Sequence, residues 1–276
     1  MADTVLEAVL RRDRIIVAAA LVALVVLAWT YVIWLADDMA MGGMDMSDFR
    51  MIPSGFGLMM PAGAPWSPDE FAYVFAMWAV MMIGMMTPSV APIILIYARV
   101  GRQAALQQQP FAATSWFAGG YLLGWIGFAL AATVAQWLVD RLGWLAANMA
   151  VVNDFIGAGV LIAAGLYQWT PLKDACLRQC QAPLQFIQRH GGFRADAAGS
   201  LALGLRHGAY CVGCCWMLMA LLFVGGVMNV LWIAVITIFV LLEKLLPAGR
   251  VISRIAGAGF LAAGVWLTVH ALARAA

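Results

Sequence analysis

Residues 201–224 read LALGLRHGAYCVGCCWMLMALLFV, a run apolar enough to cross a membrane that nevertheless carries one imidazole and three thiols. About 20 mostly apolar residues span the hydrocarbon layer as a helix. Each helical residue advances about 100°, so with Cys211 as origin Cys214 falls at about 300°, Cys215 at about 40° and His207 at about 320°. All four therefore share one narrow wedge. Polar groups at membrane depth are costly and are read first as functional. Thiolate and imidazole are the donors that suit Cu(I), Zn(II) and iron–sulfur chemistry. The wedge predicts a soft-metal site.

The rest of the chain sets the context. With 276 residues, 64% hydrophobic content, 11% charged content and a mean hydropathy of +0.90, the composition lies far outside that of a soluble domain. The expected fold class is an all-α, polytopic transmembrane helix bundle. Seven stretches are candidates to span, near residues 15–35, 71–95, 111–139, 155–171, 201–224, 227–246 and 255–272. The fourth is short and rich in small residues. The first follows Arg11, Arg12 and Arg14 but is too long for a secretory h-region and lacks a clear cleavage site, so it reads as a retained helix.

Basic residues give an orientation. With the amino terminus cytoplasmic, only Arg50, Arg141 and Arg274 of the 16 Lys and Arg fall outside, and Arg206 sits just within the fifth span. Seven crossings with the carboxyl terminus outside are expected, in a bacterial inner membrane. The net charge of +2 is this inside bias, and nucleic acid is not an expected partner. The organisation reads as an N-terminal helix over 1–36, a Met-rich acidic outer loop over 37–70, and a six-helix metal-binding domain over 71–276 that contains a cytoplasmic Cys-bearing loop at 172–199.

The outer loop opens with DDMAMGGMDMSDFRM, residues 37–51. Met39, Met41, Met44, Met46, Met51, Met59 and Met60 fall in it, a large share of the 17 methionines. Thioether sulfur forms no disulfide and needs no deprotonation, so methionines can hold Cu(I) where thiols would oxidise. Asp37, Asp38, Asp45 and Asp48 would add attraction for a cation. The plainer alternative is an acidic loop resting on the membrane surface.

The second span carries MWAVMMIGMMTPS, residues 77–89. Met77, Met81 and Met85 form a stripe at i, i+4, i+8, and Met82 and Met86 widen it. Such a stripe is ordinary packing material unless depth says otherwise. Counting about 1.5 Å per residue, it lies level with Cys211 to Cys215, and the two sets are expected to face each other. Pro88 and Pro92 follow and are expected to kink or break the helix, as beside a transporter-like cavity.

Cys176 and Cys180 share a face if LKDACLRQC is helical. Zn, Cu(I), a redox couple or plain burial would each suit them. Glu243 and Lys244 close the sixth span before Pro247 and are expected to extend to the inner interface. Asp154 is expected to cap the fourth span. His270 and His190 receive no role, and paired small residues such as Gly157, Gly159 and Gly165 or Gly257, Gly259 and Gly264 suggest close helix packing.

The fragments MWAVMMIGMMTPS, GLYQWTPLKDACLRQCQAPL, LGLRHGAYCVGCCWMLM and FVGGVMNVLWIAVITIFVLLEKLLP, in that order, resemble the signatures of a bacterial family of predicted metal-binding integral membrane proteins, a domain of unknown function. The resemblance runs from about residue 71 to 247. It implies a polytopic inner-membrane protein that binds metal through Met77, Met81, Met82, Met85, Met86, Cys176, Cys180, His207, Cys211, Cys214 and Cys215. The outer loop lies outside it.

The leading expectation is binding and transfer of Cu(I), with zinc as the other candidate metal. The partners would be the bilayer, the ion, and a metallochaperone or client metalloprotein on either side. A membrane thiol oxidoreductase using Cys211 and Cys214 as a CxxC pair and an assembly factor for another metalloprotein remain open. No catalytic triad, phosphate loop or paired membrane carboxylate is present, so an enzyme is not expected.

Overall fold

A computed structural model describes residues 2–40, 49–61, 63–146 and 149–275. The elements are α1 (Ala2–Ala40), β1 (Phe49–Met51), β2 (Met59–Pro61), α2 (Pro68–Leu106), α3 (Thr114–Arg141), α4 (Asp154–Tyr167), α5 (Pro171–Gln181), α6 (Pro183–Arg189), α7 (Ala197–Ala220), α8 (Leu222–Gly225), α9 (Val230–Leu245) and α10 (Gly249–Ala275). The class is all-α, with one small antiparallel hairpin, β1–β2. Among the described residues five helices are long and apolar enough to cross a membrane: α1, α2, α3, α7 with its continuation α8, and α10. The pair α4 and α5, bent by 65°, brings the number to six if it is one broken span. At 16 residues, α9 is shorter than those helices. Large apolar side chains cover the outside, among them Leu27, Leu231, Ile255 and Trp266, each more than 60% exposed. Continuous apolar exposure of this kind suits contact with lipid.

Local chemistry explains the boundaries. Ser67 accepts from the Glu70 amide at the start of α2, with Pro68 in the first turn, a position where its missing N–H is harmless. Thr170 caps α5 in the same way before Pro171. A residue before proline is pushed out of the helical region, which is why the expected fourth span ends at Tyr167 and the chain turns. Asn153, not Asp154, caps α4. Asp154 occupies the first turn and pairs with Arg274 at 3.3 Å. The helix α2 runs unbroken through Pro88 and Pro92 for 39 residues. The Ser89 and Tyr121 hydroxyls both donate to the Met86 carbonyl beside those prolines, at 2.8 and 3.1 Å.

The tightest seam joins α3 to α7. A Cβ at Gly120 would overlap the Leu201 carbonyl, and one at Gly204 would overlap the Phe117 carbonyl. Small residues let the two backbones approach in this way. We expect Gly204→Ala to destabilise the protein by about 1–3 kcal/mol through overpacking, read as a lowered midpoint of thermal unfolding in detergent; an unchanged midpoint would contradict the seam. In a second seam, Gly165 and Gly264 make the close approach between α4 and α10, whereas Gly159 and Gly259 face open space. Only some of the paired glycines suggested by sequence are therefore packing devices.

The hairpin is clasped to the bundle. Arg50 bonds both carboxylate oxygens of buried Glu70 and lies 3.3 Å from Asp140, which also accepts from Trp66 at 2.7 Å. The hydrogen bond to Glu70 raises the Arg50 pKa above its ordinary value, against the effect of burial. Asp37, Asp38 and Met39 belong to α1 rather than to a loop, because that helix continues to Ala40.

Candidate metal centre

All five methionines of the α2 stripe are buried: Met77, Met81, Met82, Met85 and Met86 are at most 2% exposed. So are Cys211, Cys214 and Cys215, and His207 is 3% exposed. The stripe and the wedge belong to one apolar core. The helices α2 and α7 meet through side chains of two others. From α3, the Tyr121 hydroxyl reaches the Met86 carbonyl and lies 3.2 Å from the Cys211 sulfur. From α9 comes Lys244.

Lys244 corrects the expectation that it reaches the interface. Its side chain is buried, and its Nζ donates to Cys211 Sγ at 2.8 Å and to Ser89 Oγ at 3.3 Å, with Met86 Sδ and Cys215 Sγ each 3.9 Å away. One cationic group thus occupies a point where thioether and thiol sulfur converge from two helices. Glu243 is also buried rather than interfacial. It has a different partner, pairing with Lys173 of α5 at 2.8 and 3.0 Å. Ionisable residues inside a span are functional candidates by default, and that signal was present in the sequence for Lys244.

The Cys-bearing segment is folded against this centre. Cys176 lies in α5 and its sulfur abuts Gly213 of α7, where an added Cβ would stand 2.9 Å away. Cys180 Sγ lies 4.0 Å from Cys214 Sγ. The Tyr167 hydroxyl donates to the Gly213 carbonyl and helps hold α4 and α7 together. All five cysteines are free thiols. Within α7, Cys214 and Cys215 both donate to the Cys211 carbonyl at 3.0 Å.

His207 sits one turn from Cys211 among the rings of Phe117, Tyr121 and Phe186, with centroids 6.1, 5.9 and 4.8 Å away. Its Nδ1 is buried without a hydrogen-bond partner. Among the described residues no three His, Cys, Asp or Glu side chains converge as a ready metal cage. The sulfur-rich set that does converge includes methionine and surrounds an ammonium.

Of the outer methionines, Met39 is half-buried against the core. Met51 is buried, and Met59 faces outward from β2. Met41, Met44 and Met46 lie outside the described residues. Sequence reasoning missed Met149, a buried sulfur that accepts from Gln136, which in turn accepts from Trp78. It also missed Tyr121 and Ser89, whose hydroxyls give no periodic signal within apolar helices.

Fold and site together define a helical protein with five or six helices apolar enough to cross a membrane and a buried, sulfur-rich centre. The chain belongs to the PpoB2 family, described as copper chaperone, whose model matches residues 75–267. That stretch covers nearly all of α2 through most of α10 and leaves out α1 and the hairpin. No curated protein and no solved structure matches the chain.

Proposed function

We propose that this protein holds Cu(I) at the convergence of Met86, Cys211 and Cys215 and passes it between that point and Cys214, Cys180 and Cys176. The observation that carries this reading is the approach of α2 and α7 sulfur to one buried position, marked by Lys244 Nζ within 3.9 Å of all three sulfurs. Soft thiolate and thioether donors favour Cu(I) over hard cations. The 4.0 Å separation of Cys180 and Cys214 supplies the next step of a sulfur-to-sulfur path. The buried, unpartnered Nδ1 of His207 is a further donor one turn away. Met77, Met81, Met82 and Met85 extend the sulfur surface along α2, and Met39, Met41, Met44 and Met46 would collect the ion before it enters.

In this reading the chain crosses a bacterial inner membrane seven times, counting α4 with α5 as one broken crossing and α9 as another. The amino terminus is cytoplasmic and the carboxyl terminus outside, as the basic residues suggest. Thioethers face the oxidising side and thiols the reducing side. This favours inward delivery to a metallochaperone or client metalloprotein, with binding and handover rather than catalysis as the task. Protein purified anaerobically from copper-replete cells is expected to carry stoichiometric copper and little zinc by elemental analysis. Zinc in excess, or no metal after Cu(I) loading, overturns the proposal.

The competing thiol-relay reading draws on the same Cys180–Cys214 distance. It requires disulfides that turn over at the Cys211–Cys214 pair and between Cys214 and Cys180, with Cys176 and Cys180 as the inner relay, which mass mapping of alkylated protein during oxidation and reduction would detect.

A further inference from the structure

The sulfur cluster encloses a charge that has thiols and no carboxylate around it among the described residues. The four hydrogen-bonding neighbours of Lys244 Nζ are Met86 Sδ, Ser89 Oγ, Cys211 Sγ and Cys215 Sγ. Among the described residues no carboxylate pairs with it. The adjacent Glu243 is committed to Lys173 of α5. Buried ionic groups are costly unless compensated, so the charge count of the filled site matters more here than at an exposed one.

We propose that Lys244 makes this site selective for singly charged soft cations over divalent ones. The inference rests on the copper-holding reading above and names the property of the ion that the site recognises. Cysteines that ligate a metal do so as thiolates. Two thiolates with the Lys244 ammonium leave one negative charge, which a monovalent ion cancels and a divalent ion over-compensates. Zn(II) is otherwise well served by sulfur and imidazole ligands, so ligand softness alone would not exclude it. The ammonium does. Ser89 gives Lys244 a seat at 3.3 Å that keeps the charge in the pocket when the sulfurs turn to a metal. The residue positions charge and need not touch the ion.

Coulomb repulsion is linear in the charge of the ion, so removing Lys244 strengthens binding of a monovalent ion by one factor and of a divalent ion by the square of that factor. At about 4 Å and an effective dielectric of about 20, the gain in divalent relative to monovalent binding is on the order of 10²- to 10³-fold.

The test uses the full chain in detergent without oxygen, titrated with Ag(I), a redox-inert monovalent probe, and with Co(II), whose thiolate complexes give charge-transfer absorption. Wild type is expected to bind Ag(I) and exclude Co(II). Lys244→Met is expected to tighten Ag(I) and to admit Co(II) with the larger gain, and Lys244→Arg is expected to restore exclusion. Lys244→Gln is a second charge-removing variant and should behave as Lys244→Met does. The proposal is overturned if Lys244→Met and Lys244→Gln bind Ag(I) without gaining Co(II), if both lose Ag(I), or if Lys244→Arg admits Co(II) as readily as they do. Wild type that binds neither Ag(I) nor Cu(I) would instead remove the copper-holding reading, and this inference with it.

Discussion

Cys211→Ser is expected to reduce Cu(I) affinity by more than the roughly 10- to 100-fold that follows loss of an outer-shell partner in metal sites. Cys211 is where the contacts of the centre meet: Lys244 at 2.8 Å, Tyr121 at 3.2 Å, and Cys214 and Cys215 on its carbonyl at 3.0 Å. Serine preserves the shape and a polar contact for Lys244 but offers a hard oxygen in place of sulfur, a poor donor for Cu(I). The measurement is competition against a chromophoric Cu(I) chelator under anaerobic conditions, with Cys176→Ser alongside. Cys176 sits farther along the path, against Gly213, and its loss should affect transfer to an acceptor more than retention. Retention by Cys211→Ser equal to that of wild type would place the metal elsewhere.

Lys173→Met should destabilise the fold by about 3–5 kcal/mol, the usual cost of leaving one partner of a buried ion pair alone. Lys173 and Glu243 are 1% exposed each. Around them Gln168 accepts from both Lys173 and Ser253, and Gln181 donates to the Glu243 carbonyl at 2.8 Å. This network fixes α5, with Cys176 and Cys180, against α9 and α10. The midpoint of thermal unfolding is expected to fall by roughly 6–20 °C. Replacing both charges, as in Lys173→Met with Glu243→Met, should recover most of that loss, since a buried pair often gives no net gain over an apolar one of similar volume. Equal destabilisation by the single and double variants would show that the pair does not act as a unit.

That the chain folds into long helices apolar enough to cross a membrane was legible from hydropathy alone, because some 20 consecutive apolar residues leave that signal in a single segment. The wedge of His207, Cys211, Cys214 and Cys215 was legible from the helical period, as was the stripe from Met77 to Met85. These are single-helix properties. The fate of Lys244 was not legible. A lysine near the end of an apolar segment can extend to the interface or turn inward, and the choice depends on whether a neighbouring helix offers acceptors. Here α2 and α7 offer Ser89 and Cys211. Lys173 fell inside the expected cytoplasmic loop 172–199, and only the fold brings Glu243 to it. Hydropathy did not show the 65° bend between α4 and α5, which the Thr170 cap and Pro171 set.

The sequence by itself determined that the chain is helical and suited to a membrane, and that soft sulfur donors lie along two of its helices, because periodicity and hydropathy are local. The tertiary structure alone decided that Met86, Cys211 and Cys215 meet around a buried ammonium and that Cys180 approaches Cys214. Those contacts join residues far apart in the chain, and their geometry follows from how the helices cross.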